Sequence, residues 1–410
     1  MKTRKQHVHV KTIHGYTVVL APSDIDTVIV RASVGAGFVH ELKPTLGLHH
    51  LLEHVLVDSS KQCSPECMLY WDKEGCIMNA TTDTTTVNYF VKGLPDVAEK
   101  IVDYITTILI RPKLSDMVLQ REKKAVISEL KMIINAPDHK LTNAFNKAFY
   151  TPYGLQYSED APHQIRNVSS CTLRDLTKIH QTLYSAPNMI FVVYGKFSMP
   201  MVVRAFQRFL PVTVAPLYPS IQCYSYTQSF LHVPHSCATV MVMMGFPMKQ
   251  PYEHGQLVES LLSTLLLNEL RTKHKMVYGI QCTISMDHCM PSLLIQFECI
   301  HDVFLKLLPL LFRTLRQYTK TPIDPALLKG IQRKMVYLYH TVYNYDVYYA
   351  TYLHNKRKLL TKAQLIKNIK TFDVSMFTHF MKDIIHFEHC TLAYQYPTSF
   401  HVNWNTFTNL

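Results

Sequence analysis

Apolar and polar positions alternate along residues 7–40, through "YTVVLA" and "DTVIVRASVGAG", and this period of two predicts strands. The pattern changes to a helical one at about 46–57. Residues 75–93, "GCIMNATTDTTTVNYFVKG", are rich in Thr, Val, Tyr and Phe and predict a two-stranded hairpin. Helical patterns fill 95–110 and 115–135, with Pro137 just past the second, where a helix should stop. A loop-rich stretch follows, then a helix near 172–184, the buried strand "NMIFVVYGKF" and the helix "MPMVVRAFQRFL".

The second half starts the same way again. It predicts the strand "ATVMVMMGFPM", a helix over 255–273 and the strands "YGIQCTISM" and "SLLIQFECI". Helices at 302–318 and 324–341, a helical region to about 385 and a last strand "CTLAYQY" complete it. Between the halves lies "PVTVAPLYPSIQCY", with three prolines and no charge. The expectation is a duplicated α+β fold of two domains, 1–212 and 225–410, joined by a linker at 213–224. In each, a mostly antiparallel sheet would pack against helices.

Composition narrows the class. Of 410 residues 48% are hydrophobic and 18% charged, a globular balance. No apolar run reaches the roughly 18 residues of a membrane span. The basic N-terminus has no apolar core of signal-peptide type. A mitochondrial transit peptide fits the lack of acids before Asp24, but the strand-like "HVHVKTI" leaves few residues to cleave. Ten cysteines without a scaffold pattern read as ordinary thiols of a reducing compartment. The expected location is cytoplasmic, with the mitochondrial matrix as an alternative. Net charge is +12, yet no dense Lys/Arg stripe interleaved with aromatics is found, so no nucleic-acid partner is expected. A positive field would favour acidic peptides or anionic surfaces.

One stretch carries candidate chemistry, "GLHHLLEHVLVDSS" at 47–60. On a helix His50 and His54 lie one turn apart and point the same way. Two imidazoles so placed can take two corners of a tetrahedral zinc site, and Glu53 lies within reach of a metal-activated water. The H-x-x-E-H order is that of the inverzincins. With 22 histidines in the chain, the alternative is a helix with a polar edge. The helix at 115–135 bears on this choice. Its apolar stripe runs through Val118, Leu119, Val126 and Ile133, and Glu122 and Glu129 fall within it. Carboxylates on an apolar face are paired, protonated or bound to a cation, unless the stripe is only half buried and both reach water. Taken with His50 and His54, the metal reading is preferred. Cys63, Cys67 and Cys76 read as structural rather than as a second metal site.

The chain resembles the inverzincin zinc peptidases of the pitrilysin, insulinase and mitochondrial processing peptidase family, in their short two-domain form. "GLHHLLEHVL" followed by Glu129 carries the resemblance. "HGYTVVLAP", "GCIMNATTDTTTVNYF", "LYSAPNMIFVVYGKF" and "NELRTKHKMVYGI" are similar to further family segments in the same order. The resemblance implies that His50, His54 and Glu129 hold one zinc ion per chain. Glu53 would be the general base and Glu122 would orient the site. Asn79 and Ala80 would lie on a substrate-pairing edge strand. Arg271 and Tyr278 would contact substrate, where the alternative is a helix-capping Arg and a core Tyr.

The implied activity is a zinc endopeptidase acting on peptides or unfolded segments. Its chains would associate as a homodimer, each forming half of a clamshell chamber. An inactive family member acting as an assembly or processing-complex scaffold is the alternative. Asp58 and Ser59 stand where the family has Gly-Thr, and His49 replaces a small residue. "LLEHVLVDSS" is locally similar to a poxvirus-type branch, which adds a virion as an alternative location.

Overall fold

The computed structural model describes residues 8–60, 66–211, 228–235, 238–249, 253–285, 291–355 and 357–397. The expected linker at 213–224 and Cys63 lie outside them. The first-half strands are β1 (His9–Ile13), β2 (Tyr16–Pro22), β3 (Val28–Val34), β4 (Ile77–Thr82), β5 (Val87–Gly93) and β6 (Met189–Gly195). Those of the second half are β7 (Ser229–Pro234), β8 (Thr239–Pro247), β9 (Ile280–Ser285), β10 (Ser292–Ile300) and β11 (Thr391–Tyr396).

The first helices are α1 (Leu48–Val57), α2 (Cys67–Lys73), α3 (Ala98–Ile110), α4 (Asp116–Ile134), α5 (His139–Phe149) and α6 (Tyr153–Gln156). Next come α7 (Ala161–Ser170), α8 (Leu173–Leu183), α9 (Met199–Phe209) and α10 (Gly255–Leu267). The last are α11 (His301–Tyr318), α12 (Pro325–Thr341), α13 (Tyr345–His354), α14 (Lys362–Thr371) and α15 (Val374–Ile384). None of the helices among the described residues is long and apolar enough to cross a membrane.

The two sheets share one plan. The first has the order β1-β2-β6-β3-β5-β4 and the second β7-β11-β8-β10-β9. In each, an early strand pairs in parallel with the last strand, β2 with β6 and β7 with β11, and all other pairings are antiparallel. Leaving β1 aside, strand order and direction repeat, as expected of a duplicated α+β fold.

The chain forms two compact units that are not contiguous in sequence. The first takes residues up to Ile134, Tyr153–Ile221 and Asn344–Thr361; the second takes Asn135–Pro152, Gln222–Tyr343 and the rest. Halves cut at 212 and 225 do not contain these exchanges: α5 belongs to the second unit and α13 to the first.

In the first unit one face of the sheet, with Val28, Val30, Ala32 and Val34 of β3, joins the core with α1, α3 and α9. The other face is covered at β3 and β6 by α13. There Asp346 receives the Nε–H of Arg31 at 2.9 Å, both side chains buried, and His354 Nε2 lies 3.1 Å from the carbonyl of Ser33. A buried charge tolerates burial only when paired, so this contact fixes where α13 sits.

In the second unit α5 lies on β7, β8 and β11. Phe145 and Phe149 stack at 5.0 Å and press on Gly245, where a Cβ would come within 2.7 Å of the Phe145 ring. Gln395 donates to the carbonyl of Pro137 at 3.0 Å.

Two expectations are corrected. The stretch read as loop after 137 holds α5, α6 and α7. Cys67 is disulfide-bonded, which departs from ten ordinary thiols; Cys76 is a buried free thiol.

Candidate metal centre

The centre is built on α1. Gly47 precedes the helix at φ +84°, a left-handed conformation open to glycine, and a Cβ there would meet Gln164 at 2.9 Å. The first amides of α1 find their acceptor in Glu41, whose carboxylate takes the N–H of Gly47 at 2.9 Å and of His49 at 3.0 Å. Burial nevertheless pushes the Glu41 carboxyl up to about 8. Leu48, Leu51, Leu52, Val55 and Leu56 face the core. His49 faces it too, its Nδ1 2.8 Å from the carbonyl of Ala36. Its imidazole therefore ties the helix start to the preceding loop.

His50 and His54 stand on the opposite side, where α1 packs on α4. Their Nε2 atoms are 3.2 Å apart, and Glu129 Oε2 lies 3.6 Å from His50 Nε2 and 3.7 Å from His54 Nε2. Zinc bonds of about 2.0–2.1 Å at a tetrahedral angle separate two ligand atoms by about 3.3 Å. The three atoms thus outline one face of such a tetrahedron, and this donor set fits zinc.

Burial opposes protonation of His54, but the bond to Glu122 and the nearby Glu53 and Glu129 outweigh it and hold its imidazole above the ordinary value, so a metal would displace a proton there. His54 Nδ1 donates to Glu122 Oε2 at 3.1 Å, which then leaves the Nε2 lone pair pointing at the shared point. Burial, and then His54 beside it, bring the His50 imidazole down to about 4, so it is neutral near pH 7. For Glu122, burial opposes the charge, but the bonds from His54 and Arg121 outweigh it and hold the carboxyl below its ordinary value.

Glu122 is held in turn. Its other oxygen takes the Arg121 Nε–H at 2.7 Å, and Arg121 also pairs with Asp58 just past the end of α1. Asp58 accepts the Cys67 amide at 3.2 Å at the start of α2. Asp58, marked in the sequence only as a family departure, thus belongs to a chain of contacts ending on His54.

Glu53 is 6% exposed and its Oε2 receives the hydroxyl of Thr82 at 2.7 Å. Burial pushes its carboxyl above the ordinary value. Thr82 ends β4, the outer strand of the sheet, which also bears Asn79 and Ala80. The Ala80 amide is taken by the Asn79 side chain at 2.8 Å.

The α4 stripe differs from its reading. Val118, Leu119, Val126 and Leu130 are buried, but Ile133 is 39% exposed. Glu122 lies inside this packing, while Glu129 reaches the histidines from the rim with its side chain 47% exposed. Sequence reasoning missed Thr82, Glu41 and the Arg121–Asp58 pair. The one local signal was Arg121 standing next to Glu122.

Arg271 and Tyr278 belong to the second unit. Arg271 lies in a π-helical turn, Asn268–Lys273, that continues α10. Its guanidinium sits 5.0 Å from the ring centre of Tyr278, which is 84% exposed and so is no core residue.

Comparison with known proteins places both halves of the chain in one family. Residues 17–162 match the family described as insulinase (peptidase family M16), and residues 170–335 match the peptidase M16 inactive domain. The chain is 28% identical over 134 residues to the uncharacterized zinc protease YmxG of Bacillus subtilis, covering 32% of this chain and 33% of that protein. It is 24% identical over 185 residues to the ubiquinol-cytochrome-c reductase complex core protein I of Euglena gracilis, covering 44% of this chain and 37% of that protein. These matches span about a third of each relative's own length. The crystal structure of a protease from Helicobacter pylori superposes with a TM-score of 0.82 at 19% identity, covering 96% of this chain and all of that one, which establishes the shared fold. With both halves matched in order, the chain belongs to the insulinase (M16) peptidase family.

Proposed function

We propose that this chain is a zinc-dependent endopeptidase. The observation that carries the reading is the 3.2–3.7 Å triangle of His50, His54 and Glu129 with the buried carboxylate of Glu53 beside it. His50, His54 and Glu129 would hold one zinc ion, which when bound supplies Lewis acidity toward the scissile carbonyl and the attacking water. Glu53 would accept the proton of that water and return it to the leaving amine. Thr82 steadies one Glu53 oxygen and leaves the other for the proton. Glu122, braced by Arg121, keeps the His54 ring in the tautomer that offers Nε2.

The substrate would be a peptide or unfolded segment added as a further strand along β4, the edge strand of its sheet that carries Thr82 beside Glu53. Asn79 would then release the Ala80 amide to the substrate backbone. Arg271 and Tyr278 would contact the substrate from the other chain of a homodimer that needs no different subunit. The exposure of Tyr278 supports a surface role for that pair.

Two measurements test this reading. Purified protein should contain one zinc per chain and cleave a peptide library, and a chelator should abolish cleavage. Mixing Glu53→Gln protein with Arg271→Ala/Tyr278→Phe protein should restore activity on subunit exchange, because mixed dimers hold one intact site. The scaffold reading is favoured by the likeness to a respiratory-complex core protein. It would be upheld by zinc-loaded protein that cleaves nothing.

A further inference from the structure

The positive charge of this protein is concentrated. Residues 301–372 hold thirteen of the 42 Lys and Arg but three of the 30 Asp and Glu, so they carry +10 of the net +12. Within this stretch α12 and α14 pack together in the second unit, joined where Gln332 Nε2 donates to the carbonyls of Ile369 and Phe372 at 2.7 and 2.8 Å. Gln332 adjoins Arg333, and Ile369 adjoins Lys370. The exposed turns of the two helices carry Lys329, Arg333, Lys334, Lys367 and Lys370, and neither helix contains an acid. None of the five makes an ion pair with a described residue. Tyr337, 64% exposed, stands one turn from both Arg333 and Lys334.

We propose that the outer faces of α12 and α14 form a docking surface for single-stranded nucleic acid. The five cations would take backbone phosphates, and Tyr337 would offer its ring to an unpaired base. Glu253, which accepts from Asn368 of α14 at 2.8 Å, is the acid that meets this face, and the five cations outnumber it. Cations in excess track a regular polyanion, and an exposed aromatic among them supplies stacking that tolerates any sequence. The ring selects this partner over others. An acidic peptide has no use for a π-face. Insertion into an anionic membrane needs a row of apolar side chains, and Tyr337 is the only large apolar residue exposed on these two helices. The surface does not depend on the zinc site.

The test uses the full chain and a labelled oligothymidylate of about 20 nucleotides, read by fluorescence anisotropy. Binding should weaken with salt, with a log–log slope of about −3.5 for five phosphates. Lys329→Gln/Arg333→Gln/Lys367→Gln/Lys370→Gln should flatten the slope to about −0.7. Tyr337→Ala should lose about tenfold in affinity while Tyr337→Phe keeps it. Circular dichroism and zinc content should stay unchanged in all three. The proposal is overturned by no binding at low salt, by unaltered binding in the fourfold variant, or by Tyr337→Ala binding as wild type. Equal binding to polyglutamate or to phosphatidylserine vesicles would also overturn it.

Discussion

His54 Nδ1 and Glu122 Oε2 meet at 3.1 Å, and this contact sets which nitrogen of His54 faces His50. Glu122→Gln keeps an acceptor but removes the charge. We expect zinc affinity to fall by about 10–100-fold, the usual cost of losing such a partner, with the site retained. Arg121→Ala should give a smaller fall, because Glu122 then keeps His54 but loses its brace. Competition with a zinc-sensing dye measures both. Wild-type affinity in Glu122→Gln would show that the tautomer is set elsewhere.

Glu53 touches no ligand atom of the triangle, so its role separates from binding. Glu53→Gln should hold zinc as wild type and lose at least about 10²-fold in kcat. His54→Ala should lose both together. Metal analysis beside a peptide-cleavage assay distinguishes the two patterns, and near-normal turnover in Glu53→Gln would remove it as the base.

Gly47 is a test of how the helix is started. An alanine would take an unfavourable positive φ and meet Gln164 at 2.9 Å. We expect Gly47→Ala to cost about 1–3 kcal/mol and to weaken zinc binding by shifting the first turn of α1. Urea unfolding with and without zinc checks this; unchanged stability in both would show that the turn adapts.

Acid sensitivity should come from buried imidazoles in the first unit. Burial lowers His354 from 6.5 to about 4, His49 to about 4 and His40 to about 3. Each is neutral when folded and takes up a proton below about 6.5 when unfolded. Their contribution is therefore whole above pH 6.5 and is lost as pH falls toward 4. For His354 alone the loss between pH 7.5 and 5 should be about 2 kcal/mol. His354→Gln, measured with chelator present to remove zinc linkage, should show that much less acid destabilisation. The full wild-type slope would assign the effect to the other two histidines.

Of the His50–His54–Glu129 triangle, the two histidines were legible because they are local, whereas the choice of Glu129 over Glu122 came from the family resemblance. His50, Glu53 and His54 lie within one helical turn, and Glu122 and Glu129 are two turns apart on one face. The partners that position them were not legible. Thr82 reaches Glu53 through strand pairing, and Asp58 reaches Arg121 across 63 positions. The helix α5 was read as loop because only Leu141, Phe145 and Phe149 form its apolar stripe, and the sheet that rewards it lies more than 80 residues later. Each of α12 and α14 holds only three Lys or Arg, spaced among other residues, so no basic stripe shows along the sequence. The pairing of α12 with α14 gathers cations that are more than 30 residues apart.

The exchange of α5 and α13 bears on how this chain is made. On the ribosome, β1 through β6 are complete once about 195 residues have emerged, yet Arg31 has no buried carboxylate until Asp346 follows. During that interval the α13 face of the first sheet exposes Arg31 and Ser33 beside apolar strand residues. The second unit has the opposite asymmetry, since α5 is synthesised before any strand it covers. A cut between the halves leaves both sheets incomplete: a fragment ending near residue 212 would lack the helix that covers its own sheet and carry one that belongs to the other.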